Sequence, residues 1–374
     1  MKKILAYFFG GIACLGVGAG VYIAAGVYYR PPAPVVPFAA RMTTAEAINE
    51  LVPLVGKTLN KNVEATVVTL APSPVIKPTT VFFAGDIMLG RDVALAISKN
   101  GSDYPFAKIK DEVASSDYAV ANLEGPLTAT NNAPGNNMRF HFDPALTSQL
   151  SSAGFDAFSL ANNHGLDQGA QGFDDTKNNL SAAGLKYFGD AADDNGQVLH
   201  FTLSGNNFAV IGAQDVYRQI DPTAIGKEIA TEKAAGYFVI IYPHWGVEYS
   251  HQASTRQVTL AHAFIDAGAD LVIGSHPHVI EGIEAYKGKT IFYSLGNLIF
   301  DQYFSTGTQQ GLALRLNVDA QKNVSIDLLP FEIPRSQPSF VDGDKKTKML
   351  QDIASWSAPE LKDQIVSGSI KPRE

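Results

Sequence analysis

The sequence has little cysteine and little charge. Its 374 residues include one cysteine, Cys14, and the charged fraction is 18% with a formal net charge of −8. One cysteine excludes an intrachain disulfide and a cysteine-based zinc site. The acidic balance argues against sequence-independent nucleic-acid binding, which depends on clustered Lys and Arg. We therefore expect no nucleic-acid partner, and an anionic ligand would have to be captured by local positive charge such as a bound metal.

Residues 4–29 contain no charged side chain. This run of about 26 residues is longer than the roughly 20 that a helix needs to cross a bilayer. Lys2 and Lys3 precede it, and positive charge favours the cytoplasmic side. We predict a single-pass anchor over residues 1–30 in the cell membrane, with a cytoplasmic amino terminus and an extracytoplasmic main domain. The alternative is a cleaved signal peptide ending near Ala24-Ala25-Gly26, and under either interpretation the main domain is exported.

Composition divides the remaining chain. Residues 31–77 are rich in proline and predict an extended linker with one short helix. Residues 78–335 predict the globular domain, because short apolar runs alternate there with helical stretches. The runs fall at residues 80–84, 118–123, 155–160, 208–211, 237–242, 270–273 and 290–295, with a hairpin at 312–318 and 324–328. Residues 336–374 predict a polar carboxyl-terminal tail, with a helix around 346–356.

Metal-ligand residue types follow almost every predicted strand. They are Asp86, Asn122 and Glu124, Asn163 and His164, His244 and Glu248, His276 and His278, and Asn297. In α/β sheets, ligand sites gather beyond the carboxyl ends of the strands, so these groups should converge. A mixture of imidazole, carboxylate and amide oxygen favours Mn, Fe or Zn. The sequence therefore predicts a divalent metal site holding one or two ions.

Six motifs in this order resemble the CapA family. They are GDIMLGR (85–91), NLEGPL (122–127), LANNH (160–164), HWGVE (244–248), GSHPH (274–278) and SLGN (294–297). CapA proteins act in capsule synthesis and are linked to poly-γ-glutamate, and their fold is similar to the calcineurin-like metallophosphoesterases. The resemblance implies an α/β fold built as a four-layer αββα sandwich, and an anionic surface polymer or a phosphoryl or acyl group as substrate.

The same resemblance implies roles for individual residues. Asp86 and His278 would bind one metal, Asn163, His244 and His276 the other, and Glu124 would bridge the two. His164 would serve as general acid or transition-state donor, oriented by Asp167, and Glu248 would hold His244. Arg91 is a candidate for substrate binding, but it would equally cap a helix or pair with Asp92. Asn297 would line the site or support its floor.

One position departs from the superfamily pattern. Phosphoesterases of this fold usually carry a histidine two residues after the first aspartate, and this chain has Met88 there. Two functions follow as hypotheses. The first is a metal-dependent hydrolase or transferase step in surface-polymer assembly. The second is a non-catalytic subunit that binds the polymer or organises the subunits of a membrane synthase.

Overall fold

The computed structural model describes residues 78–319 and 321–372. The predicted anchor at 1–30 and the predicted linker at 31–77 lie outside these residues. Among the helices that are described, none combines the length and the apolar character that a membrane span requires.

Fifteen strands and eight α-helices make up the described part of the chain. The strands are β1 (Thr79–Ile87), β2 (Tyr118–Leu123), β3 (Ala157–Ser159), β4 (Lys186–Phe188), β5 (Leu199–Leu203), β6 (Asn206–Gln214), β7 (Phe238–His244), β8 (Leu271–Ile273), β9 (Ile283–Tyr286), β10 (Lys289–Phe292), β11 (Asn297–Ile299), β12 (Gln310–Val318), β13 (Val324–Glu332), β14 (Ser339–Phe340) and β15 (Ser369–Ile370). The helices are α1 (Arg91–Asn100), α2 (Lys110–Ala114), α3 (Thr147–Ser152), α4 (Gly169–Ala182), α5 (Pro222–Ala234), α6 (Thr255–Ala267), α7 (Gly343–Trp356) and α8 (Lys362–Ser367).

The strands form two sheets. The first has the order β14-β13-β12-β1-β2-β3-β4, with β11 beside β1 and β15 beside β13. The second has the order β5-β6-β7-β8-β10-β9. Strands β1 to β4 pair in parallel, and so do β6, β7, β8 and β10. The parallel strands therefore end at a common edge within each sheet.

Three apolar clusters show how the layers stack. Side chains alternate across a strand, and β1 illustrates this because Phe82 and Phe83 are both fully buried in different clusters. Phe82 packs toward the helices that carry Val93 and Leu180, whereas Phe83 packs toward the second sheet. The outer face of the second sheet packs against α5 and α6. The predicted α/β sandwich of two sheets and helices is confirmed.

Every apolar run predicted as a strand corresponds to an observed strand. Residues 118–123 match β2, and the late hairpin is β12 paired antiparallel with β13. Residues 336–372 differ from the expected polar tail. The predicted helix there is α7, and its Met349, Leu350 and Ile353 are buried in the same cluster as Phe83. Burying a large aliphatic side chain contributes about 1.5–3 kcal/mol, so this segment is an integral part of the sandwich.

Candidate metal centre

The candidate site lies beyond the carboxyl ends of the central strands. Asp86 on β1 is in register with Asn122 on β2 and with Asn297 on β11. His244 ends β7 in the second sheet, and it is bridged to Ser275 just after β8. Because strands of both sheets end here, residues from six segments that are distant in sequence lie close together.

Two neighbouring groups of donor atoms form the centre. One atom each from Asp86, Glu124 and His244 lie within 4.8 Å of one another, and the same holds for Glu248, His276 and His278. His278 joins the groups, since its Nδ1 is 3.5 Å from Asp86 Oδ2 and its Nε2 is 3.7 Å from Glu124 Oε1. The predicted cluster is thus a single constellation of carboxylates and imidazoles.

Side-chain amides fix the Asp86 carboxylate. Asn162 Nδ2 donates to Asn122 Oδ1 at 3.0 Å, and Asn122 Nδ2 donates to Asp86 Oδ1 at 2.8 Å. The other carboxylate oxygen, Oδ2, accepts from the backbone N–H of His276 at 3.2 Å. All of these groups are buried. The carboxylate is therefore held in one orientation by the protein alone.

Several buried donor atoms have no partner among the described residues. They are both carboxylate oxygens of Glu124 and Nδ1 of His276. Burial raises the pKa of Glu124 well above its ordinary value, and the nearby charge of Asp86 adds to this. Burial also lowers the pKa of His244 well below its ordinary value and that of His276 to about 3. Neutral imidazoles and orphaned carboxylate oxygens suit a divalent cation, which would satisfy them.

The loop that carries the two histidines has an uncommon backbone. His276 has a φ of 98° and His278 a φ of 58°, on either side of Pro277. Positive φ is rare for residues other than glycine and costs of order 1–3 kcal/mol. Gly274 precedes the loop, and a Cβ there would lie 2.0 Å from the carbonyl oxygen of Tyr293. The close packing against Tyr293 therefore leaves no room for a side chain at the start of this loop.

His164 is held by the Asp167 carboxylate and by the Phe140 ring. Its Nδ1 donates to Asp167 Oδ2 at 2.7 Å, as expected from the sequence, and the same oxygen accepts from the Phe140 N–H at 2.6 Å. The Phe140 ring stacks on the imidazole at 3.9 Å. His164 Nε2 then faces the cluster, 3.9 Å from Glu124 Oε1. No motif in the sequence indicated Phe140 as part of the site.

Asn163 also reaches the cluster, because its Oδ1 lies 2.7 Å from His244 Nε2. The other nitrogen of this ring, Nδ1, contacts Ser275 Oγ at 3.0 Å. Both ring nitrogens thus contact groups other than Glu248, so the expectation that Glu248 holds His244 is wrong. A positive φ of 97° at Gly246 redirects the chain after β7, and the carboxylate reaches His276 and His278 instead. Ser275 belongs to the GSHPH motif, but its residue type did not mark it as a partner of His244.

The two candidate substrate residues are both engaged. Arg91 Nε donates to Asp301 Oδ2 at 3.1 Å, a second guanidinium nitrogen pairs with Oδ1, and the group lies 4.8 Å from the Phe140 ring centre. Asn297 Oδ1 accepts from His278 Nδ1 at 3.0 Å. Arg91 therefore pairs with Asp301 and not with Asp92. The same Asp301 carboxylate caps the start of α1, because it accepts a hydrogen bond from the Asp92 N–H.

The Met88 side chain is fully buried among the apolar residues beneath the site. Its sulfur accepts from the Gly90 N–H at 3.0 Å. A thioether is a weak, soft donor, and here it is already engaged. Residue 88 therefore supplies no group equivalent to the histidine that the superfamily pattern has at this position.

Fold and site together define an α/β sandwich protein with a candidate metal centre of aspartate, glutamate and histidine. The model of the family described as "Bacterial capsule synthesis protein PGA_cap" matches residues 80–302, and the chain belongs to this family. The resemblance drawn from the six motifs is confirmed.

Curated relatives agree with this assignment. The chain is similar to the "Capsule biosynthesis protein CapA" of Bacillus anthracis, 30% identical over 76% of this chain and 77% of the relative. It is similar to the "PGA biosynthesis protein CapA" of Bacillus subtilis (strain 168), 32% identical over 74% of this chain and 77% of the relative. A "Probable polyglutamine synthesis accessory protein" of Mycobacterium tuberculosis is 28% identical over 60% of this chain and 68% of the relative.

Proposed function

We propose that this protein acts in the synthesis or export of a capsule or exopolymer such as poly-γ-glutamate, through a metal-dependent, hydrolase-like site on a fold of the calcineurin-like metallophosphoesterase type. Family membership and the names of the two Bacillus relatives support the polymer. The observation that carries the proposal is the convergence of Asp86, Glu124, His244, His276 and His278 on one buried point.

The donor atoms divide between two positions in our proposal. Asp86 and His278 would hold one ion, the Glu124 carboxylate would lie between the two ions, and the second ion would be held by Asn163, His244 and His276. Because Met88 supplies no imidazole, we assign the Glu248 carboxylate as the additional donor beside His276 and His278. This set of nitrogen and oxygen donors suits Mn, Fe or Zn.

A divalent ion in this position would supply positive charge to stabilise the charge that develops on a phosphoryl or acyl group. The chain itself supplies the proton-handling group. Asp167 holds His164 with Nδ1 protonated, which leaves Nε2 toward the cluster to hold or release a proton at the leaving group. Arg91 and Asn297 would support the substrate side indirectly, since Asp301 and His278 engage their polar atoms.

The test is metal analysis of the full-length chain and its variants by inductively coupled plasma mass spectrometry. We expect Mn, Fe or Zn in the wild type and loss of most of it in His276→Ala and in His278→Ala. His262→Ala is the matched control, because His262 lies outside the cluster and pairs with Glu284. Unchanged metal content in both cluster variants would refute the proposed centre.

Met88 favours a second candidate function, in which the domain is a non-catalytic subunit that binds the emerging polymer. The name of the mycobacterial relative, an accessory protein, points the same way. Phosphomonoester, phosphodiester and γ-glutamyl substrates with added Mn separate the two functions. Hydrolysis of any of them that His164→Ala abolishes supports the enzyme. Polymer binding without hydrolysis supports the accessory role.

We also propose that residues 1–30 anchor the protein in the cell membrane, with the α/β domain on the outer side and subunits of a polymer synthase as partners. The uncharged run at 4–29, preceded by Lys2 and Lys3, supports this topology. Protease treatment of intact spheroplasts should degrade the domain. Protection of the domain until the membrane is permeabilised would contradict this orientation.

A further inference from the structure

A cavity of about 530 Å³ opens directly beside the candidate metal centre. Its inner wall is formed by Asn162, Asn163 and Asp167, which also support or belong to the cluster. A molecule in this cavity would therefore extend to the reactive centre. The volume is in the range of ligand sites in proteins.

Two arginines supply the positive charge of the outer wall. The Arg139 side chain is exposed and makes no ion pair or hydrogen bond with the residues that the structure describes. Arg218 pairs with the Asp194 carboxylate through Nη2 at 2.5 Å. Its buried Nε has no hydrogen-bond partner among the residues that the structure describes. Arg91, which Asp301 engages, does not line this cavity. Arg139 and the unpartnered Nε–H of Arg218 are the cationic donors that this cavity offers to an anionic ligand.

The same wall carries exposed apolar side chains. Met138 is 73% exposed, Tyr217 is 76% exposed and Leu166 is 38% exposed. Exposed apolar side chains that share a rim with charged groups are typical of ligand sites. A ligand that fits both features is a chain in which anionic groups are separated by short aliphatic segments.

We propose that this cavity binds a segment of a carboxylate-bearing polymer, with Arg139 and Arg218 pairing with its free carboxylates and Met138, Leu166 and Tyr217 contacting its methylene groups. A guanidinium matches a carboxylate through two parallel hydrogen bonds. The inference rests on the proposed function, since it names the polymer-recognition subsite of the same centre. It locates substrate selection on the three loops that follow β2, β3 and β6.

The test is fluorescence anisotropy of a labelled γ-linked glutamate oligomer titrated with the full-length chain. We expect Arg139→Gln to weaken binding about tenfold, the equivalent of about 1.4 kcal/mol. Arg139→Lys should restore part of the lost affinity, because lysine returns the positive charge without the two parallel N–H donors of a guanidinium. Arg335→Gln is the matched control, an exposed arginine that does not line the cavity. Arg218→Lys tests the second arginine while keeping a cation beside Asp194.

Equal affinity of Arg139→Gln and Arg335→Gln would overturn the inference. Displacement of the oligomer by polyphosphate at matched charge would also overturn it, because the cavity would then be a general polyanion site. The metal content of the same preparations separates this inference from the proposed function. A wild type without metal whose oligomer binding still depends on Arg139 would refute the metal centre alone, whereas a metal-loaded wild type with no dependence on Arg139 would refute the subsite alone.

Discussion

Glu124 gives the sharpest test of how the site is built. Its carboxylate is fully buried, neither oxygen has a hydrogen-bond partner among the described residues, and Asp86 lies close enough to raise its pKa further. Such a group destabilises a metal-free fold, because burial removes it from water without replacing the lost hydrogen bonds. Glu124→Gln keeps the shape of this side chain, is neutral at every pH, and carries amide N–H groups that can donate to the Asp86 carboxylate.

The magnitude follows from the number of unsatisfied atoms. A buried polar group without a partner costs about 1–3 kcal/mol, so we expect Glu124→Gln to stabilise the metal-free protein by about 2 kcal/mol. For a domain of this size, that corresponds to a rise in Tm of roughly 3 °C. In the presence of Mn the order should reverse, since an ion bound only by the native wild type stabilises it and not the variant.

The assay is thermal unfolding of the full-length chain followed by circular dichroism at pH 7.5, once after dialysis against chelator and once with Mn. Glu228→Gln on α5 is the control, a glutamate with no ion pair to another described residue. If Glu124→Gln melts below the chelated wild type, the carboxylate stabilises the metal-free fold and the reasoning is refuted.

Three further predictions follow from single contacts. His164→Ala should keep the metal content of the wild type but lower any hydrolytic rate by about 10²–10⁴-fold; metal loss would contradict its role as a proton donor. Gly274→Ala places a Cβ 2.0 Å from the Tyr293 carbonyl oxygen and should cost about 3 kcal/mol in urea unfolding, whereas Gly226→Ala, inside α5, makes only an ordinary contact with Ala267 Cβ at 3.5 Å and should be neutral or stabilising. Burial raises the pKa of Glu281 to about 8, so protonation of this carboxyl group contributes its full stabilisation below about pH 4.5, and the contribution declines as the pH rises through 8. Glu281→Gln should remove this decline, which is at most about 5 kcal/mol, from urea midpoints measured between pH 5 and 9; an unchanged pH profile would refute it.

The sequence predicted the central strands well because they are continuously apolar and bounded by polar loops. The strands β4, β5, β9, β11, β14 and β15 were missed, because polar residues interrupt or flank each of them and leave no continuous apolar run. The carboxyl-terminal segment was misjudged for a different reason. Met349, Leu350 and Ile353 lie among lysines in α7, and only the tertiary structure shows that they reach the core between the sheets.

The site was predicted at the level of residue types and strand ends, because parallel strands bring their carboxyl ends together whatever the loops do. Individual contacts were beyond this reasoning. Arg91 meets Asp301 across 210 positions of sequence, and the direction of Glu248 depends on the left-handed turn at Gly246. Such contacts depend on loop geometry that residue types do not specify.

The left-handed backbone at His276 and His278 has a consequence for metal selection. The fold sets the backbone at both histidines without an ion, so binding one ion in place of another would require no remodelling of the loop. A rigid frame of mixed nitrogen and oxygen donors discriminates little between first-row cations of similar size. Which of them the protein carries would then be decided mainly by the supply of each ion in the compartment where the chain folds.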